Sequence, residues 1–339
     1  MDGRVTWPAP DPLGEALHFL RMDGAFYCRS ELTDPWGLTL PAMPGYLWFH
    51  VVTAGRALLE VAGAPAAWLG PGDVALVPQG DGHALRSADG VPAPVVTDLD
   101  LERPSDRYEV LRHGGGGAPT LLICGAVRFD HPIADNLTGI LPRTVHVAAA
   151  DGPRAARMGG VLDLIAAEAA DFRPGGEAVI TRLADVLVIQ AIRTWIETAP
   201  AARTGWLGAL QDRQIGRALA LIHREPARPW TVASLADRLA MSRSAFAARF
   251  TALVDEPAMQ YVARWRMQLA RDALATEAVT VAELADRLGY RSEAAFARAF
   301  KRVVGVPPGT VRRDGRARAP RVASITGAPV RVRRPAPDP

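Results

Sequence analysis

Two thiols and two imidazoles are the residues best suited to chemistry in this chain. Cys28 in FYCRSEL and Cys124 in LLICGAVRFD are its two cysteines, and His50 and His83 fall in the same N-terminal stretch. Thiolate and imidazole are the donors that tetrahedral zinc prefers, so Cys28, His50, His83 and Cys124 would together make a Cys2His2 shell. Zinc-bound thiolates are also the form of sulfur that oxidants attack fastest, so oxidation would remove metal ligands at once. The four residues are scattered over the stretch without a local signature. A second reading therefore stays open: two buried thiols packed as small hydrophobes, and two histidines satisfied by backbone groups. His113, His131 and His146 are weaker candidates; His113 abuts GGGG, which is a loop signal.

A second set of residues would read a surface rather than transform a bond. LADRLGYRSEAAFARAF, from Leu284 to Phe300, has an offset copy upstream in LADRLAMSRSAFAARF, from Leu235 to Phe250. Each copy reads as helix, tight turn, helix. Thr231 and Thr280 are placed to cap the first helix of each pair, and Glu283 completes a capping box in the second. Val232, Leu235, Ala236 and Leu239, and again Val281, Leu284, Ala285 and Leu288, make one buried stripe per copy. Ser242 and Ser292 cap the second helices, whose inward faces are Phe246, Phe250, Leu253 and Val254, and Phe296, Phe300, Val303 and Val304. What is left outward is Arg243, Ser244, Ala247 and Ala248 in one copy and Glu293, Ala294, Ala297 and Arg298 in the other. This is the layout of a helix-turn-helix whose second helix enters a major groove. Arg298 is the best base reader, because arginine bonds guanine bidentately, while the alanines offer methyl contacts. Arg264, Arg266, Arg291, Lys301 and Arg302 are candidates for phosphates.

Charge follows the same division. Residues 213–313 hold 17 Lys and Arg against 9 Asp and Glu, and residues 314–339 hold 6 against 2. Residues 1–212 hold 16 against 25, so one end alone is fitted to hold phosphates. Residues 1–150 carry short apolar runs separated by turn signals: YLWFHVV, RALLEVAG, AAWLG, DVALVPQG, HALRS, PVVTDLDL and TLLICGAVRFD, the strands of an all-β unit. Residues 154–170 and 177–198 read as helices, the second apolar most of the way round and so expected to be buried. Residues 198–212 read as a linker and residues 314–339 as a disordered basic tail. No apolar run is long enough to span a membrane and no signal peptide is visible, so the expected setting is a reducing cytoplasm.

The paired motifs, the helix PAMQYVARWRMQLARDAL between them and the closing GVPPGTVRR resemble the DNA-binding domain of AraC/XylS-type transcription regulators, over roughly residues 213 to 313. One departure is Val311, where the family usually has an aromatic residue. Upstream, GPGDVALVPQGDGH resembles the second motif of cupin barrels, with His83 as the residue that turns inward. The first cupin motif is not intact: no His-x-His precedes Gly55, and Trp48 stands where a glutamate would be expected. The placing of Cys28, His50, His83 and Cys124 also looks like the reactive-chlorine-responsive subgroup of the family. The resemblance implies an α+β multidomain protein: a cupin-like β-barrel over 1–150, a helical linker over 151–212 that either pairs subunits in a homodimer or simply docks onto the barrel, and an all-α double helix-turn-helix domain over 213–313. The expected partners are double-stranded DNA and a small oxidant, with zinc as cofactor. The alternatives are a small organic effector in a metal-free barrel and, remotely, a cupin enzyme.

Overall fold

The computed structural model describes Gly14 and residues 22–105, 108–129, 137–149, 153–170 and 174–317. His131 and residues 318–339 of the expected tail lie outside the described residues. A β-rich unit is centred on Gly24–Val127 and a helical unit takes in the chain from Asp185.

The strands of the first unit are β1 (Met22–Thr33), β2 (Gly37–Leu40), β3 (Tyr46–Ala54), β4 (Ala57–Val61), β5 (Ala67–Leu69), β6 (Val74–Val77), β7 (His83–Arg86), β8 (Leu101–Glu102), β9 (Tyr108–Gly114) and β10 (Pro119–Phe129). One sheet runs β6-β3-β10-β1-β9-β8 and the other β2-β7-β4-β5. Both contribute to a single core, which holds Phe26, Cys28, Trp36, Trp48, Leu59, Leu85, Leu111 and Cys124. In β3, Trp48 and Val52 join that core while Leu47, Phe49 and Val51 are equally buried on the opposite face. A strand covered on both faces reads as a continuous apolar run, which is why YLWFHVV shows so little alternation. PVVTDLDL does not form the expected strand. Asp98 N–H bonds back to Val95 O at 2.9 Å, closing a short 3-10 turn over Val96–Asp98 ahead of the two-residue β8. Strands β1, β2 and β9 are additions to those expected.

Helices α1 (Pro153–Ala170) and α2 (Gly176–Thr198) fall where periodicity puts them. α2 buries Ile180, Ala184, Leu187, Val188, Ala191, Ile192 and Ile196, but Val179 and Val186 stay exposed, so it is not buried on every side. The segment read as a linker is ordered. A 3-10 turn over Pro200–Arg203 leads into α3 (Gly205–Gln211), whose Trp206, Leu207, Ala209 and Leu210 are all buried. Then follow α4 (Ile215–Arg224), α5 (Val232–Arg238), α6 (Arg243–Val254), α7 (Ala258–Thr276), α8 (Val281–Arg287), α9 (Glu293–Val304) and α10 (Pro308–Ala317). Helices α5 and α6 are the first helix-turn-helix, α8 and α9 the second. α7 packs against both α9 and α10.

Candidate DNA interface and buried thiol–imidazole chain

The caps that start the reading helices are those the sequence specifies. Ser242 Oγ accepts from Ala245 N–H and Ser292 Oγ from Ala295 N–H, each at 3.2 Å. Thr280 and Glu283 form the expected capping box. The first copy has a box as well, with the Ser234 hydroxyl in the role of the glutamate. Phe246, Phe250, Phe296 and Phe300 are buried and fix which faces of α6 and α9 turn inward. Arg243, Ser244, Ala248, Glu293, Ala294 and Arg298 stand exposed on the opposite faces, with Ala247 and Ala297 half-buried beside them. Arg291, Lys301 and Arg302 are exposed at the ends of α9. Val311 packs against the core of the second unit, so the missing aromatic leaves that core closed.

Two of the expected phosphate ligands have other partners. Arg264 reaches Glu256 at 2.6 Å and lies over the Tyr261 ring. Arg266 donates Nε to Pro226 O at 2.6 Å and Nη2 to Arg228 O at 2.7 Å. A guanidinium with two of its donors on two carbonyls of one loop is a clamp. That loop, between α4 and α5, also meets the turn of the second unit. A Cβ built on Gly289 would sit 2.2 Å from Ala227 O. Arg266 and Gly289 thus bind the lead-in of the first helix-turn-helix to the second, which fixes α6 relative to α9.

In the β-unit, Cys124 on β10, His50 on β3 and His83 on β7 meet in the core. His50 Nδ1 is 3.1 Å from Cys124 Sγ, His50 Nε2 is 2.8 Å from His83 Nε2, and His83 Nδ1 is 2.8 Å from the carbonyl oxygen of Asp81. One carbonyl assigns every proton. Asp81 O only accepts, so His83 Nδ1–H donates to it and His83 Nε2 is left as an acceptor. His50 Nε2–H must then donate to His83, which makes His50 Nδ1 the acceptor for the Cys124 S–H. The chain runs one way, from thiol to backbone, and needs both rings neutral. Burial keeps them so. It lowers His83 to about 4, and burial with His83 alongside holds His50 well below the ordinary imidazole range. Burial also pushes Cys28 up to about 12 and Cys124 well above the ordinary thiol range.

As placed, these side chains lie in a line rather than around one point. Both imidazole lone pairs are occupied by protons from a neighbour, and the two nitrogens of His50 face different partners, where four zinc ligands would converge on one point. Among the described residues, no group of three or more His, Cys, Asp or Glu is placed to hold a metal ion. Cys28 is in the same core but turns to Ser30 Oγ, at 3.6 Å. Its register partner across β1 and β9 is Glu109, a buried carboxylate that accepts from Arg103 Nε at 3.1 Å. Burial raises Glu109, against the pull of Arg103. The buried indole N–H groups of Trp36 and Trp48 have no partner among the described residues. His113 closes β9, and His146 is exposed and outside the chain of bonds.

Two helix-turn-helix units with exposed second-helix faces, following a two-sheet β-unit in the sequence, are the layout of a DNA-binding transcription regulator. The family description Cupin matches residues 11–197, and the description Helix-turn-helix domain matches residues 235–314. An AraC-like transcription regulator of Streptomyces lividans is 36% identical over 304 residues, spanning 89% of this chain and 98% of its own length. The RCS-specific HTH-type transcriptional activator RclR of Escherichia coli (strain K12) is 26% identical over 273 residues, 80% of this chain and 86% of its own. Among solved structures, the DNA-binding domain of AdpA in complex with a target DNA is 32% identical, covers 31% of this chain and 96% of its own, and has a TM-score of 0.30. The chain belongs to the AraC-like transcription regulators with an N-terminal cupin domain, and it is a regulator, not an enzyme. Among the described residues no helix is long and apolar enough to cross a membrane.

Proposed function

We propose that the cupin domain takes in the signal at the Cys124–His50–His83 chain and that the helix-turn-helix pair delivers it to DNA in the cytoplasm. The signal on this reading is a small uncharged oxidant such as hypochlorous acid. The observation that carries it is the 3.1 Å contact of Cys124 Sγ with His50 Nδ1, which puts a proton acceptor beside a buried thiol. A buried, protonated thiol reacts slowly, and an apolar core admits only oxidants that are small and uncharged. Hypochlorous acid would convert the Cys124 thiol to a sulfenic acid: sulfur gives up two electrons, chlorine leaves as chloride, and one proton is released. The S–H donor at the head of the chain is then replaced by an S–O–H group one atom longer, so the 3.1 Å thiol–imidazole contact cannot persist unchanged. Fitting the added oxygen into a packed core costs about 1–3 kcal/mol, enough to shift a two-state equilibrium between domain conformations several-fold. The name of the E. coli relative, RCS-specific, agrees with this signal. The exposed Val179 and Val186 of α2 are the residues we assign to subunit pairing in a homodimer.

The test is DNA affinity of the full-length protein before and after stoichiometric hypochlorous acid, with mass spectrometry of both cysteine peptides and zinc analysis of the starting material. Wild type is expected to change affinity, Cys124→Ala to stop responding, and zinc to be absent. A Cys28→Ser, Cys124→Ser double variant with the full response would overturn the thiol reading, and one zinc per chain released by oxidant would restore the metal shell in place of the hydrogen-bonded chain. A second reading rests on the unpaired N–H groups of Trp36 and Trp48: a small organic effector that offers them an acceptor. Thermal stabilisation by such a compound, with no response to oxidant, would favour it.

A further inference from the structure

Trp206 and Asp212 lie outside the segment matched as a helix-turn-helix domain, yet both reach into its first unit. Trp206 Nε1–H donates to Tyr261 Oη at 3.0 Å, and Tyr261 Oη is 2.7 Å from His223 Nε2. The Tyr261 ring meets Phe250 edge-on at 5.8 Å. One phenol on the first turn of α7 therefore touches α3, α4 and α6. Asp212 makes a second node. Its Oδ1 accepts the N–H groups of Gln214 and Ile215, at 3.0 and 2.9 Å, and caps α4. Its Oδ2 accepts from Arg249 of α6 at 2.7 Å. Partial burial pushes this carboxyl up, but the two amides and Arg249 outweigh it and hold it below the usual range. In the second repeat the residue at the Arg249 position is Ala299, which is buried, so this anchorage belongs to the first unit alone.

We infer that Trp206 and Asp212 are positioning residues for the first recognition helix, holding α6 at the angle at which Arg243 and Ser244 face the groove. An isolated seven-residue helix is not stable in water, so α3 exists only as docked, and the pose of α6 is conditional on that docking. The inference rests on α6 entering the DNA groove. It also gives the chain arriving from α2 a direct hold on the first helix-turn-helix.

The experiment uses the full-length protein and a duplex that wild type selects from a randomised library, together with versions in which either half of the footprint is scrambled. Asp212→Asn and Trp206→Phe are each expected to weaken binding about 3–10-fold, the equivalent of losing part of one hydrogen bond. The whole loss should fall on the half facing α6. It should vanish when that half is scrambled, and it should leave the salt slope unchanged. Arg249→Lys should recover most of what Arg249→Ala loses. Equal weakening over both halves, or none, would overturn the inference and point to plain fold stability. So would a salt slope reduced by about one in Arg249→Ala with no effect of Asp212→Asn, since Arg249 would then be a phosphate ligand. Failure of wild type to select any duplex would instead remove the groove reading itself.

Discussion

The two repeats solve one backbone problem with different residues, and exchanging those residues should have opposite effects. After α5 the turn passes through Ala240 at φ 53°, and after α8 through Gly289 at φ 75°. A left-handed L-residue costs about 1–2 kcal/mol, and glycine costs about 0.4–1 kcal/mol more than alanine in unfolded-state entropy. Ala240 is exposed, so its methyl group has room and only the backbone term applies. Ala240→Gly should therefore stabilise the helical unit by about 0.5–1 kcal/mol. Gly289 differs because a Cβ there would come within 2.2 Å of Ala227 O, a backbone atom of the clamped loop. Gly289→Ala must pay the left-handed cost and an overpacking cost of about 1–3 kcal/mol, for a net loss of about 2–4 kcal/mol. Hydrogen exchange of peptides from 231–317, read by mass spectrometry, gives the opening free energy of this unit within the intact protein. If Gly289→Ala changes it by no more than about 0.5 kcal/mol, the ordinary range for a surface change, the contact with Ala227 does not lock the units together and the reasoning fails. A destabilised Ala240→Gly would refute the backbone half.

Acid should weaken the β-unit through its neutral histidines. An unfolded histidine takes a proton near pH 6.5 while His83 resists until about 4, so the unfolded state binds more protons in that window and stability falls as pH drops through it. The loss from His83 approaches about 3 kcal/mol at the lower end, with His50 adding in the same direction; urea unfolding at pH 7.5 and pH 5 should show a steeper fall for wild type than for His83→Gln, and equal falls would refute it. On the DNA side, Arg298→Ala should cost about 1–3 kcal/mol and relax preference at one base pair, whereas Lys301→Ala should weaken all duplexes alike and reduce the salt slope by about one. Titrations at several salt concentrations separate the two, and a sequence-independent loss for Arg298→Ala would take it off the base-reading face.

What could be read from the chain alone depended on how far each signal reaches. Thr280 with Glu283, or Ser292 with Ala295, complete their bonds within one turn. The caps, the stripes and the outward faces of α6 and α9 are therefore legible in the sequence. The clamp made by Arg266 is hidden from the sequence for the opposite reason. Its partners are carbonyls 38 and 40 residues away, and nothing in WRMQLA distinguishes a guanidinium aimed at phosphate from one clamping a loop. α3 escaped because seven residues show no usable period and its apolar face is set by α4 and α6. The buried cluster shows the limit most clearly. Sequence placed Cys124, His50 and His83 in one domain, and residue type alone favoured zinc. Whether three donors converge on a metal or pass protons in a line is decided by ring orientation, and here Asp81 O sets the orientation. A backbone carbonyl is present at every residue, so the group that decides the chemistry of this site is one that no pattern of side chains can mark.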